Sequence, residues 1–85
     1  MEENTFWTTS DFYSAVLIRA SGISLANLIK ERGKFVIFKF SSSPDVCEEI
    51  LKKHWDRTLQ LETRLLIETI NELKTRVHEK VKEMD

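Results

Sequence analysis

Eighty-five residues, 41% of them hydrophobic and 32% charged, describe a single domain spanning 1–85, too apolar for a disordered chain and too short for two cores. Thirteen basic against fourteen acidic side chains leave a net charge of −1, which supplies no global field for nucleic acid or anionic lipid, so any such binding needs a local patch. Cys47 is the one cysteine, which excludes an internal disulfide and fits a reducing, cytoplasmic compartment.

The opening "MEENTFWTTSDFY" has neither a basic leader region nor a long apolar run. Nowhere do about 18 apolar residues follow one another, so no signal peptide, membrane span or membrane partner is expected. Thr5, Phe6, Trp7 and Thr8 favour a strand, and Thr9 or Ser10 then suits a helix N-cap with Asp11 in the positive first turn. Phe12, Val16 and Ala20 stand four apart, and Gly22 falls where a left-handed C-cap is wanted. "SLANLIKERGKFVIFKFS" is two extended runs around Glu31, Arg32 and Gly33, a hairpin with the glycine in its turn.

Ser43 and Pro44 open a second helix, along which Cys47, Ile50, Leu51, His54 and Trp55 share one face while Glu48–Lys52 and Glu49–Lys53 pairs form outside. "TLQL" at 58–61 alternates like a short extended connection. From Glu62 to Glu83 no Gly or Pro interrupts, and Leu66, Ile70, Leu73, Val77, Val81 and Met84 keep three- and four-residue spacings. This long helix would run about 33 Å, so its last turns are expected to reach past so small a core.

The order is β-α-β-β-α-α. A first helix that returns the chain makes the third strand antiparallel to both others, giving strand order 2-3-1 with "FVIFKF" at the centre, where a sheet buries its most apolar segment. The fold class is therefore α+β: a three-stranded antiparallel sheet, two short helices and a long C-terminal one. The first two helices are expected over the face of Val36, Phe38 and Phe40. The face of Phe35, Ile37 and Lys39 still needs a cover, from the long helix or a second subunit.

"FWTTSDFYSAVLIRASG", "FVIFKF", "HWDRTLQLETR" and "LLIETINELKTRVHE", in this order, resemble a small domain family of unknown function from bacteria, archaea and their viruses, with a Thr-x-Asp-Phe/Tyr helix start, a hairpin and a long charged last helix. The resemblance spans residues 5 to about 79. It implies a prokaryotic or phage setting and transfers no catalytic residue.

His54 beside Trp55 invites an acid–base reading, but no Ser, Asp or Glu is placed by sequence to orient the imidazole, and a core aromatic with a partly buried His is the stronger expectation. Cys47 and His54, two turns apart on one helix, sit about 10 Å from each other, too far for one tetrahedral ion, and His78 does not repair this. Cys47 reads as a small buried hydrophobe, and Asp11 as a cap. With two distant glycines there is no phosphate-cradling loop. No catalytic residue, metal ligand or cofactor is expected, and the protein is not read as an enzyme.

Two surfaces remain. Phe35, Ile37 and Lys39 of the central strand, and Val77 and Val81 of the last helix, are the expected interface with a protein partner, first of all a second copy of the chain. The competing expectation is single-stranded nucleic acid on the aromatic sheet face, with Lys30, Arg32 and Lys34 at the hairpin tip on phosphates. The expected function is that of a non-enzymatic accessory protein working through protein contacts.

Overall fold

Three strands and three helices follow one another as β1 (Trp7–Thr9), α1 (Phe12–Ala20), β2 (Leu25–Lys30), β3 (Val36–Phe40), α2 (Pro44–Trp55) and α3 (Thr63–Glu83). The structure, a computed structural model, describes residues 5–31 and 35–83. The proposed turn glycine Gly33, with Arg32 and Lys34, and the stripe residue Met84 lie outside them. The strands form one antiparallel sheet in the order β1-β3-β2, the expected order 2-3-1 read from its other edge.

The pleat sorts β3 into two faces. Val36, Phe38 and Phe40 are buried, whereas Ile37 and Lys39 point the other way and are only partly covered. Trp7 and Thr9 pair with Phe40 and Phe38, and Leu25 and Leu28 pair with the same two phenylalanines from the far side. A bulge between Leu25 and Asn27 keeps both leucines inward despite their odd spacing.

The buried face carries the core, in which Ala15, Val16 and Ile18 of α1, Phe38 and Phe40, Cys47 and Leu73 cluster. Helix α1 lies on the sheet between the other two helices, touching α3 on one side and α2 on the other. That double contact buries Ala15 and Ile18 as well as Val16 and Ala20, although Ile18 stands off the four-residue stripe. Phe12 meets Phe38 edge-on with centroids 6.2 Å apart, and Trp7 packs on Phe40 at the same distance.

The cover of the sheet differs from the expected one. It is α1 and α3, with Leu73 in the core beside Phe38 and Phe40, that roof the buried face, while α2 flanks α1 through Cys47, Ile50 and Leu51. Helix α3 thus does not cross to the second face. The molecule is a plate 40 × 38 × 18 Å, thin enough for one helix layer on one sheet layer. In the first turns of α3 Leu65 and Ile67 face solvent, whereas further along Val77 packs on the core and Val81 is half-buried.

The caps refine the boundaries. Asp11, not Thr9 or Ser10, is the α1 N-cap: its Oδ2 accepts from the Ser14 N–H and the Ser14 hydroxyl, both at 2.8 Å, and Thr9 Oγ1 accepts from the Asp11 N–H at 3.1 Å. A carboxylate outcompetes a hydroxyl here because it accepts two bonds and meets the positive helix end. Ser43 caps α2 with Pro44 at its first position, as the sequence predicts. Lys52 pairs forward with Asp56 at 3.2 Å rather than back with Glu48. Residues 58–62 form no strand and simply link α2 to α3.

Candidate functional site

The second sheet face is open among the described residues. Phe35 is 52% exposed just before β3, and Ile37 and Lys39 follow it on the same side. Register adds Ile29 opposite Ile37, Asn27 and Thr8 opposite Lys39, and Glu31, whose N–H bonds the Phe35 carbonyl at 2.9 Å. At the β1 corner Phe6, also exposed, lies under the Lys39 ammonium with 4.2 Å between nitrogen and ring centroid. The face is an apolar patch of Phe6, Phe35, Ile37 and Ile29 with a cation at one end of β3 and Glu31 at the other.

The register also divides the basic residues assigned to nucleic acid. Lys30 pairs with Val36 and so belongs to the helix side of the sheet, turned away from Phe35 and Lys39. Arg32 and Lys34 lie outside the described residues.

The second surface lies on the opposite side of the plate. Helices α1 and α3 pass antiparallel, with Arg19 near the end of α1 reaching Glu72 at 3.9 Å while Phe12 and Tyr13 at its start face the later turns of α3. Between them runs an open groove of about 400 Å³ floored by Phe12, Tyr13, Val77 and Val81 and edged by Lys74 and His78. Val77 and Val81 therefore share no surface with Phe35, Ile37 and Lys39. Val77 in addition packs on the core, which makes it as much a folding residue as a docking one.

No family model, curated protein or solved structure matches this chain.

The His54–Trp55 pair is not a core element. Trp55 is 78% exposed, His54 is exposed, and their rings lie 5.2 Å apart. The expectation fails because α2 has twelve residues against nine in α1, so its apolar stripe continues past the neighbour it packs on. Cys47, at the other end of that stripe, is fully buried, and burial pushes its thiol above the ordinary value despite an opposing hydrogen bond with Ser42. Among the described residues no three of His, Cys, Asp and Glu converge as metal ligands, and no helix is long and apolar enough to cross a membrane.

Sequence reasoning missed Tyr13, Phe6 and Lys74 as surface participants, and placed Glu31 in the sheet-face patch without its position at the end opposite Lys39. Tyr13 reads as part of the α1 stripe, yet α3 reaches only its flank and leaves it 64% exposed. Glu31 and Lys39 become a pair of ends only once the β2–β3 register is known. Position within the pleat was the available signal for Phe6, two residues before Thr8 on the outer face.

Proposed function

We propose that this chain is a non-enzymatic interaction module of prokaryotic or phage type, working in the cytoplasm, that pairs with a second copy through the open sheet face. The observation that carries the reading is the uncovered β3 row of Phe35, Ile37 and Lys39 with Glu31 at its far end. Two sheets stack about 10 Å apart, and a two-fold axis across the strands at Ile37 sets Ile37 on its equivalent and brings each Lys39 toward the other copy's Phe35 and Glu31. With Lys39 at one end and Glu31 at the other, the patch is self-complementary in charge about that axis, as an isologous interface requires.

Size limits the strength of such a pair. Three strands about 4.8 Å apart and five residues long offer a face of about 14 by 17 Å, short of the roughly 800 Å² per partner of a standard interface. A dimer with micromolar or weaker affinity, formed as concentration rises, is the consequence. The prokaryotic setting rests on the resemblance in the helix start, the hairpin and the last helix, and the cytoplasmic one on the single free thiol.

Light scattering behind size exclusion, across a concentration series of parent protein and Ile37→Asp, tests the proposal. The parent should shift from monomer to dimer and the variant should stay monomeric and folded. A parent that is monomeric up to about millimolar overturns self-pairing. Salt-sensitive binding of single-stranded DNA by that monomer, lost in Phe35→Ala, would then move the same face to the nucleic-acid reading.

A further inference from the structure

A sheet in the order β1-β3-β2 has two outer edges, and they are unequal. β1 has three residues and offers a further strand little to pair with, whereas β2 has six. Residues 23–29, ISLANLI, contain no charge, glycine or proline, the composition of a segment prone to pair with its own copies. Helix α3 does not cover this edge. An open space of about 260 Å³ lies beside it, with residues 25–28 on one side and Arg76, Glu79 and Lys80 on the other.

The register shows which backbone groups that edge presents. The Glu31 N–H donates to the Phe35 carbonyl at 2.9 Å, which makes Glu31 and Phe35 a hydrogen-bonded pair. Alternation along the ladder then gives the same role to Ile29 with Ile37 and to Asn27 with Lys39. Leu28 and Lys30 fall between them and turn their N–H and carbonyl groups outward. The Leu28 N–H is nevertheless engaged: it donates to Oδ1 of Asn27, the residue before it, at 2.9 Å. No turn or helix end calls for this bond, because the Asn27 backbone pairs with Lys39 inside the strand. The exposed amide instead bends from the outer face over the edge and takes the donor that a further strand would use.

We propose that the Asn27 side chain closes the β2 edge against the β2 strand of a second copy. Leu28 is the residue on which such pairing depends. On one side of it the bulge between Leu25 and Asn27 interrupts the outward row, and on the other Lys30 is the last residue of the strand. With the Leu28 donor released, two copies would join β2 to β2 antiparallel about a two-fold axis and merge two three-stranded sheets into one of six. The contact acts on the edge alone and does not depend on what the sheet face binds. Alongside a sheet-face dimer, an open edge would let each copy hold two others, an assembly that does not close.

The test places Asn27→Ala in the Ile37→Asp background, so that its result is separate from the fate of the sheet-face dimer. Asn27 is exposed, and the substitution leaves the core untouched. At low concentration the Leu28 amide, followed by NMR hydrogen exchange, should exchange several times faster than with Asn27 present. At high concentration light scattering should show self-association about tenfold tighter or more, since a two-fold pairing counts the released donor twice. Exchange at Leu28 and Lys30 should then slow together. Asn27→Asp, which keeps an acceptor oxygen in the same place, should behave as the parent residue does. Equal Leu28 exchange in the two monomers overturns the proposal, as does an Asn27→Ala protein that stays monomeric up to about millimolar. Association that leaves Leu28 and Lys30 unprotected, or that Asn27→Asp shows equally, overturns it as well.

Discussion

Arg57 stands at the end of α2 where Gly22 stands at the end of α1. Both have positive φ, 65° and 100°, and both are the first residue past the C-cap. The hydrogen bonds repeat: Ile23 N–H to Ile18 carbonyl and Gly22 N–H to Arg19 carbonyl in one, Thr58 N–H to Lys53 carbonyl and Arg57 N–H to His54 carbonyl in the other. These are two Schellman caps, one built on glycine and one on a residue whose Cβ opposes the left-handed conformation. Arg57→Gly should therefore stabilise the protein by roughly 0.5–1 kcal/mol, the relief of strain less the added freedom of the unfolded chain. Gly22→Ala should cost about 1 kcal/mol from backbone strain alone, since no atom lies within 4 Å of the added methyl. Urea midpoints of the two variants measure both, and shifts of the same sign would show that the caps are not equivalent.

The Asp11 cap makes part of the stability acid-sensitive. The Ser14 hydroxyl first, and the Ser14 N–H second, hold the Asp11 carboxyl below its ordinary value. A depressed folded value means that the contribution is complete above the unfolded value near 4 and is lost as pH falls through the folded one. Asp11→Asn keeps a capping side chain but does not titrate, so its deficit at neutral pH should be smaller at about pH 2. Asp11→Ala should cost about 1 kcal/mol at neutral pH. Denaturation of the three proteins at both pH values checks the sign; a deficit of Asp11→Asn that grows in acid would refute it.

The strand order was legible because β3 reads "VIFKF" between two less apolar strands, and burial at the centre follows from that difference. What was not legible is which helix lies over which face. Leu66, Ile70, Leu73 and Val77 define a stripe on α3 without saying whether it meets the Phe38 or the Ile37 side. Only the packing of α1 between its neighbours, made close by Ala15 and Ala20, decides it. The same limit misplaced Trp55: periodicity gives the direction of a side chain, and the length of the neighbouring helix determines whether anything is there to meet it. Arg57 hid the end of α2 because a left-handed arginine leaves no compositional mark.

Trp55 and Phe40 should consequently respond in opposite ways to truncation. Trp55→Ala removes a ring that is mostly in water and should change stability by no more than about 0.5 kcal/mol. Phe40→Ala empties a fully buried site between Trp7 and the α1 side of the core and should cost about 3–5 kcal/mol, much of the whole stability of a domain this small. Thermal unfolding followed by circular dichroism distinguishes them. A loss of several kcal/mol in Trp55→Ala would mean that α2 is packed along its whole length.

Cys47 offers a reporter on the same core. It is fully buried between α2 and α1 and burial raises its thiol, so alkylation at neutral pH should require opening of the structure. Phe40→Ala should accelerate labelling in proportion to its lost stability while Trp55→Ala leaves the rate unchanged. Fast labelling of the parent protein, near the rate of a free thiol, would place α2 off the core.

The charged ends of the open sheet face allow its proposed two-fold pairing to be tested without touching the apolar patch. In the pairing centred on Ile37 each Lys39 approaches the Glu31 of the other copy, so Lys39→Glu sets two acidic pairs across the interface and Glu31→Lys sets two basic ones. Each variant alone should dimerise more weakly than the parent, by about five- to tenfold if each exposed pair contributes under 1 kcal/mol. An equimolar mixture of the two should associate again, because both contacts of the mixed dimer join opposite charges. Sedimentation of the separate and mixed variants reads this directly, and high salt should erase the difference. Two variants that dimerise as the parent does would rule out the Ile37-centred arrangement, and a mixture no tighter than its components would rule out the opposed charges as its register.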